Sequence, residues 1–187
     1  MPGVNSEKQD VLDENGKPTG KVKTREEIHK DNNWHLSVHA WIINSMGELL
    51  IQKRAPEKES NPNKWDMSAG GHVMSGDSEI LTITREFEEE LGIKIDQSDL
   101  KYIFTVRQKA VLKNGTYINN EINPVYLIKK DLDLSKMVMQ KEEVSEVKWI
   151  PWQELEKKIN ENDSTFVPHP EEYKKLFEYL NKHSIIL

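Results

Sequence analysis

Four glutamates occupy five consecutive positions, Glu86 to Glu90 in the run REFEEE that Leu91-Gly92 closes, with Phe87 between them. Like charges three or four apart on a helix repel by about 0.2–0.5 kcal/mol per pair. Acidic groups near a helix C-terminus also oppose the macrodipole. A helix with that cost needs an apolar face to hold it. At 100° per residue over 77–91, Ile80, Ile83, Phe87 and Leu91 fall within about 80° of one another and form such a face. Glu79, Glu86, Glu89 and Glu90 share the adjoining flank, and Glu88 turns to solvent. Gly92 suits a left-handed C-cap, and Asp77 or Ser75 an N-cap. Most charge runs are solvated surface. Here, however, carboxylates at i, i+3 and i+4 can converge on one point, as a hard divalent cation requires of oxygen ligands. The glycine-rich segment DMSAGGHV (66–73) reads as a flexible loop before the helix, with backbone groups and room for phosphate oxygens.

The rest of the chain frames this helix. VLDENGKPTGKV (11–22) carries a hairpin signal at Asn15-Gly16, after a loose tail over residues 1–10. Residues 24–33 read as a polar connector or short helix, 34–43 and 47–55 as strands, and 56–65 as a loop. Strands are expected over 100–112 and 116–130, flanking Asn114-Gly115, and over 144–150. Helices follow over 152–162 and 170–183, the second with Tyr173, Leu176, Phe177 and Leu180 on one face. The pattern predicts one domain over 11–187, α/β or α+β, with a mixed sheet.

Composition excludes several chemistries. The 187 residues contain no cysteine, which removes disulfides, zinc-thiolate sites and thiol nucleophiles. A net charge of −6 argues against nucleic-acid and anionic-membrane partners. MPGVNSEKQD has no apolar signal region, and no apolar run approaches the roughly 20 residues that span a bilayer. A cytoplasmic location is therefore expected. A homodimer is left open, since dimers are the commonest oligomers.

Gly71, Asp77 and the run Arg85-Glu86-Phe87-Glu88-Glu89-Glu90-Leu91-Gly92-Ile93 resemble the Nudix box, Gly-x5-Glu-x7-Arg-Glu-U-x-Glu-Glu-x-Gly-U. Asp77 stands where the box has its first Glu and is one methylene shorter. The resemblance spans about residues 30–160 and implies an α/β/α sandwich and hydrolysis of a small-molecule diphosphate with Mg²⁺ or Mn²⁺. It also implies that Glu86, Glu89, Glu90 and the Gly71 carbonyl are metal ligands. One of the glutamates would serve as base, and Arg85 would orient them.

The flanks resemble a particular branch, the one containing isopentenyl-diphosphate isomerase. DENGKPTGKVKTREEIH, WHLSVHAWIIN, KWDMSAGGH and NNEINPVYLI carry that likeness. It implies a further metal site at His29, His35, His72 and Glu121, with Asn119 where the isomerase has a carboxylate. It also implies that Arg25 and Arg54 hold the diphosphate, and makes Glu121 a candidate catalytic group. His39 lacks such a context and reads as structural. The isomerase needs a Cys acid, and Gly70 stands at about that place here. The missing acid and the nearly complete box favour hydrolysis. Isomerase chemistry and a non-catalytic ligand-binding module are the rival readings. Trp34, Trp41, Trp65 and Tyr117 are candidates for stacking on a base, although packing is the commoner role of such residues.

Overall fold

The computed structural model describes residues 7–112 and 117–183. Nine strands and four helices follow in order. They are β1 (Lys8–Leu12), β2 (Pro18–Thr24), α1 (Arg25–Lys30), β3 (Trp34–Ile43), β4 (Glu48–Arg54), β5 (Trp65–Asp66), β6 (Ala69–His72), α2 (Glu79–Leu91), β7 (Lys101–Leu112), β8 (Tyr117–Lys129), β9 (Val144–Pro151), α3 (Trp152–Asn160) and α4 (Pro170–Lys182). The expected Asn114-Gly115 turn lies outside the described residues, as does the side chain of Tyr117.

β3 is the hub. It runs antiparallel to β1, β4 and β6 and parallel to β8, so the sheet is mixed and open. Alternation along β3 sends its side chains into two layers. Val38, Ala40 and Ile42 pack with Ile83, Phe87 and Leu91 of α2 on one face. Trp41 and Ile43 pack with Leu155 of α3 and Tyr173, Leu176, Phe177 and Leu180 of α4 on the other. The result is the α/β/α sandwich that the resemblance implies.

Two segments depart from expectation. Residues 8–10, assigned to a loose tail, form the start of β1 and pair with Val22 to Thr24. Backbone pairing made that strand, and its short polar stretch carried no alternation to announce it. Within the glycine-rich segment, Ala69–His72 forms β6 on β3 instead of a loop. Glycine weakens a strand by leaving no side chain to pack, and here β3 supplies the template.

The α2 face behaves as the periodicity predicts. Ile83, Phe87 and Leu91 are fully buried, each stabilising by roughly 1.5–3 kcal/mol. That exceeds the like-charge repulsion along the glutamate flank, at about 0.2–0.5 kcal/mol per pair. Packing decides the helix. Ser78, rather than Asp77 or Ser75, is the N-cap, accepting from the Leu81 N–H. Gly92 is the left-handed C-cap, and its N–H donates to the Glu88 carbonyl at 3.1 Å. A Cβ there would lie 2.9 Å from Val138 Cβ and 3.0 Å from the Val138 carbonyl oxygen.

α4 is fastened to the sheet by buried charge. Glu172 accepts from His39 Nδ1 at 2.7 Å and from Trp41 Nε1 at 2.8 Å. Trp41 is thus structural, as is His39. Burial disfavours a charged His39, but Glu172, with help from Glu121 and Asp66, holds its pKa above the ordinary value. Burial likewise opposes a charged Glu172, yet His39 and His169 hold it below.

Two outcomes follow for stability. Gly92→Ala is expected to destabilise by roughly 1–3 kcal/mol, read by urea unfolding. Glu172→Gln strands a buried charge and is expected to cost about 3–5 kcal/mol near pH 6. His39, with its pKa raised, contributes below about 6.5 and loses that contribution as pH rises through its folded pKa. Glu172, with its pKa lowered, contributes above about 4.5 and loses that as pH falls through its own. The gap between wild type and Glu172→Gln should therefore shrink above neutrality. A gap that stays constant from pH 6 to 9 would remove the ion pair from this account.

Candidate active site

The flank of α2 beside its core face carries the box carboxylates. Glu90 is buried and accepts from Gln52 Nε2 of β4 at 3.1 Å. Glu86 is half-buried against β6, and a Cβ on Gly71 would lie 2.5 Å from Glu86 Oε1. Only glycine admits that approach of backbone to carboxylate. Glu89 is exposed at the same end of the helix, and Glu88 faces solvent. Burial, followed by repulsion from Glu90, pushes the Glu86 pKa up to about 8. Burial likewise lifts Glu90 to about 7, with Gln52 pulling the other way. The Gly71 carbonyl accepts from Ser37 Oγ at 2.8 Å. Oxygen donors crowded in this way suit a hard divalent cation, which offsets their repulsion.

Three arginines were singled out. Arg85 Nη1 donates to Asp77 Oδ2 at 2.8 Å, with Glu86 and Glu89 in electrostatic range. Asp77 therefore holds the arginine instead of capping the helix. Arg54 ends β4, and its Nε donates to the Ser60 carbonyl at 3.1 Å. Arg25 begins α1, close enough to His29 and His72 for its charge to lower both their pKa values.

His29, His35 and His72 come from three elements, α1, β3 and β6, yet each offers a ring nitrogen within 4.8 Å of the others. Glu121 of β8 places Oε1 3.2 Å from His72 Nε2 and 3.8 Å from His35 Nε2. Burial, then the neighbouring imidazoles, lowers the His29 pKa to about 3. Burial also lowers His72 to about 4, against the pull of Glu121. Both rings are neutral at pH 7, the form that ligates metal. Asn119 lies two residues before Glu121, and its buried Oδ1 has no hydrogen-bond partner among the described residues.

Sequence reasoning missed Gln52 and Ser37, which hold a box carboxylate and the Gly71 carbonyl. Gln52 does leave a trace, as a polar residue that ends the buried run LLIQ. Gly70 pairs with His39, and a Cβ there would lie 3.1 Å from both His39 Cδ2 and Met67 Sδ. A side chain at Gly70 would therefore press on those two, which would have to give by a few tenths of an ångström.

The family model described as NUDIX domain matches residues 33–170. Nudix hydrolase 3 of Arabidopsis thaliana is 40% identical over 92% of the chain, which spans only 23% of that protein's length. A Nudix hydrolase of Listeria monocytogenes is 36% identical over 87% of the chain and 89% of its own. An isopentenyl-diphosphate Delta-isomerase of Klebsiella pneumoniae is 30% identical over 75% of the chain and 73% of its own. Among solved structures, a Deinococcus radiodurans protein superposes with a TM-score of 0.66, at 21% identity over 92% of this chain and 99% of its own. The Nudix domain of Shewanella oneidensis NrtR, solved with ADP ribose, superposes with a TM-score of 0.56, at 18% identity over 78% of this chain and 87% of its own. With the box on its helix, Gly71 against Glu86 and a family match across most of its length, the chain belongs to the Nudix superfamily.

Proposed function

We propose that the protein is a Mg²⁺- or Mn²⁺-dependent hydrolase that cleaves a diphosphate linkage in a small molecule by attack of water at phosphorus. The observation that carries this reading is the packing of Glu86 and Glu90 against Gly71 and Gln52 at one end of α2, with Glu89 beside them. Glu86, Glu89, Glu90 and the Gly71 carbonyl would hold the cation. When bound, it neutralises charge on phosphoryl oxygens and acidifies water. Arg85, fixed by Asp77, keeps its positive charge beside Glu86 and Glu89. Arg54 and Arg25 supply planar donors that match phosphate oxygens. Nudix relatives, one of them 40% identical, support the same class of reaction. Solved neighbours bind ADP ribose in one case and are described as an Ap4A hydrolase in another, which supports a nucleotide-sized ligand. The absence of cysteine and the crowding at Gly70 count against isomerase chemistry. Among the described residues no helix is long and apolar enough to cross a membrane.

A panel of nucleoside polyphosphates, dinucleoside polyphosphates, nucleotide sugars, coenzyme A and isopentenyl diphosphate tests the reading, with and without Mg²⁺ or Mn²⁺. Cleavage of at least one member is expected only with metal. Glu89→Gln should lower turnover at least about 10²-fold, the scale of losing one electrostatic stabiliser, without a change in melting temperature. Wild-type rates in that variant would remove the metal assignment. Double-bond migration in isopentenyl diphosphate, without hydrolysis, would favour the isomerase reading. Binding without turnover would favour a ligand-binding module.

The gathering of His29, His35 and His72 beside Glu121 favours a second metal site. Three imidazoles and a carboxylate suit a first-row transition ion better than Mg²⁺. His72→Ala should lose one equivalent of bound metal per chain by elemental analysis, while the α2 site keeps its own. Equal metal content in the variant and the wild type would exclude the second site.

A further inference from the structure

Arg54 lies two residues beyond Gln52 on β4, on the face that meets Glu90. Its charge reaches that carboxylate. Three of its five N–H groups are engaged. Nε meets the Ser60 carbonyl at 3.1 Å, Nη2 meets Ser60 Oγ at 3.3 Å, and Nη1 meets Asp66 Oδ2 at 3.2 Å. Two donors remain for a ligand among the described contacts.

The chain of contacts continues behind Asp66. Its Oδ1 accepts from the Met67 N–H at 2.9 Å and from His169 Nε2 at 3.1 Å. His169 Nδ1 lies 3.1 Å from Gln108 Oε1 of β7. Asp66 and His169 are both buried. His169 is the residue from which α4 starts, yet its side chain makes no cap bond to the helix and goes to Asp66 instead. Burial would raise the Asp66 pKa, but His169 and Arg54 hold it at about 2. It is therefore held as a carboxylate near neutral pH.

We infer that Asp66 and His169 are positioning residues for Arg54: the chain Gln108–His169–Asp66–Arg54 fixes the guanidinium toward the α2 carboxylates and so sets affinity for the diphosphate. This rests on the hydrolase reading above only in taking the ligand to be a diphosphate. An arginine in solution loses side-chain entropy on clamping a ligand. One already locked by a buried carboxylate loses less. A merely structural network would tie α4 to the sheet without affecting the ligand.

The test is a double-mutant cycle on the full chain, read by KM and kcat on the panel member cleaved fastest. Calorimetric affinity for inorganic pyrophosphate provides a readout free of turnover. Arg54→Ala should weaken pyrophosphate binding and raise KM about tenfold or more. His169→Ala should raise KM several-fold with kcat changed less than twofold. The double variant should be no worse than Arg54→Ala, because His169 acts through Arg54. His169→Gln, whose amide can donate to Asp66 in place of Nε2, should recover most of the loss. Asp66→Asn repeats the test if His169→Ala does not fold. Penalties that multiply in the double variant, or a melting-temperature loss with KM and pyrophosphate affinity unchanged, would overturn the inference. So would unchanged pyrophosphate binding in Arg54→Ala, and that result leaves the hydrolase reading standing on its metal dependence and Glu89→Gln. Failure of the wild type to cleave any panel member is the converse, and the pyrophosphate arm still decides the role of His169.

Discussion

The contact on which the site depends is the approach of the Gly71 backbone to the Glu86 side chain. It exists because α2 is pressed onto β3 and β6 by Ile83, Phe87 and Leu91. Burial of those three side chains outweighs the repulsion among the glutamates, so the helix tolerates an acidic flank that its own charges would not favour. The flank then meets β6 where no Cβ intervenes. Move α2 outward by the width of a methyl group, and Glu86 would lose its close approach to Gly71. Core packing and site geometry are here one constraint rather than two.

The same strand that anchors α2 also builds the opposite layer. Along β3, Val38, Ala40 and Ile42 face α2, while His35, His39 and Trp41 belong to the alternate set. Those alternate positions progress from the histidine cluster to the Glu172 ion pair and then into the apolar core under α4. A polar line buried in this way is tolerated only where its members are paired. Glu121 serves His72, Glu172 serves His39, and Asp66 serves His169. Each of these buried carboxylates therefore has an imidazole beside it.

What was legible in the sequence divides along the range of the interaction. The α2 face, its Gly92 cap, the strand at 34–43 and the helix face of Tyr173, Leu176, Phe177 and Leu180 all depend on spacing within one element. Periodicity reports such features directly. The box glutamates were legible for the same reason, since i, i+3 and i+4 define one flank. Partners from distant elements were not. Glu172 reaches His39 across 133 residues and His169 reaches Asp66 across 103, and no local pattern encodes either pairing. His29, His35 and His72 were visible only through a family resemblance, because nothing in their spacing says that α1, β3 and β6 converge. β1 and β6 were misread since backbone pairing formed them, with polar or glycine side chains that give no alternation.

This division bears on how specificity arises on such a fold. The α2 carboxylates are set by short-range spacing, so the reaction class is written in about twenty residues. The groups around them come from β4, from the segment 56–64, from β7 and from the start of α4, all joined through Arg54, Asp66, His169 and Gln108. A substitution in any one of these would change that network without touching the box. The long-range pairs can therefore vary while the acidic flank of α2 stays constant. That is the physical reason a box of this kind identifies a reaction so much more readily than a substrate.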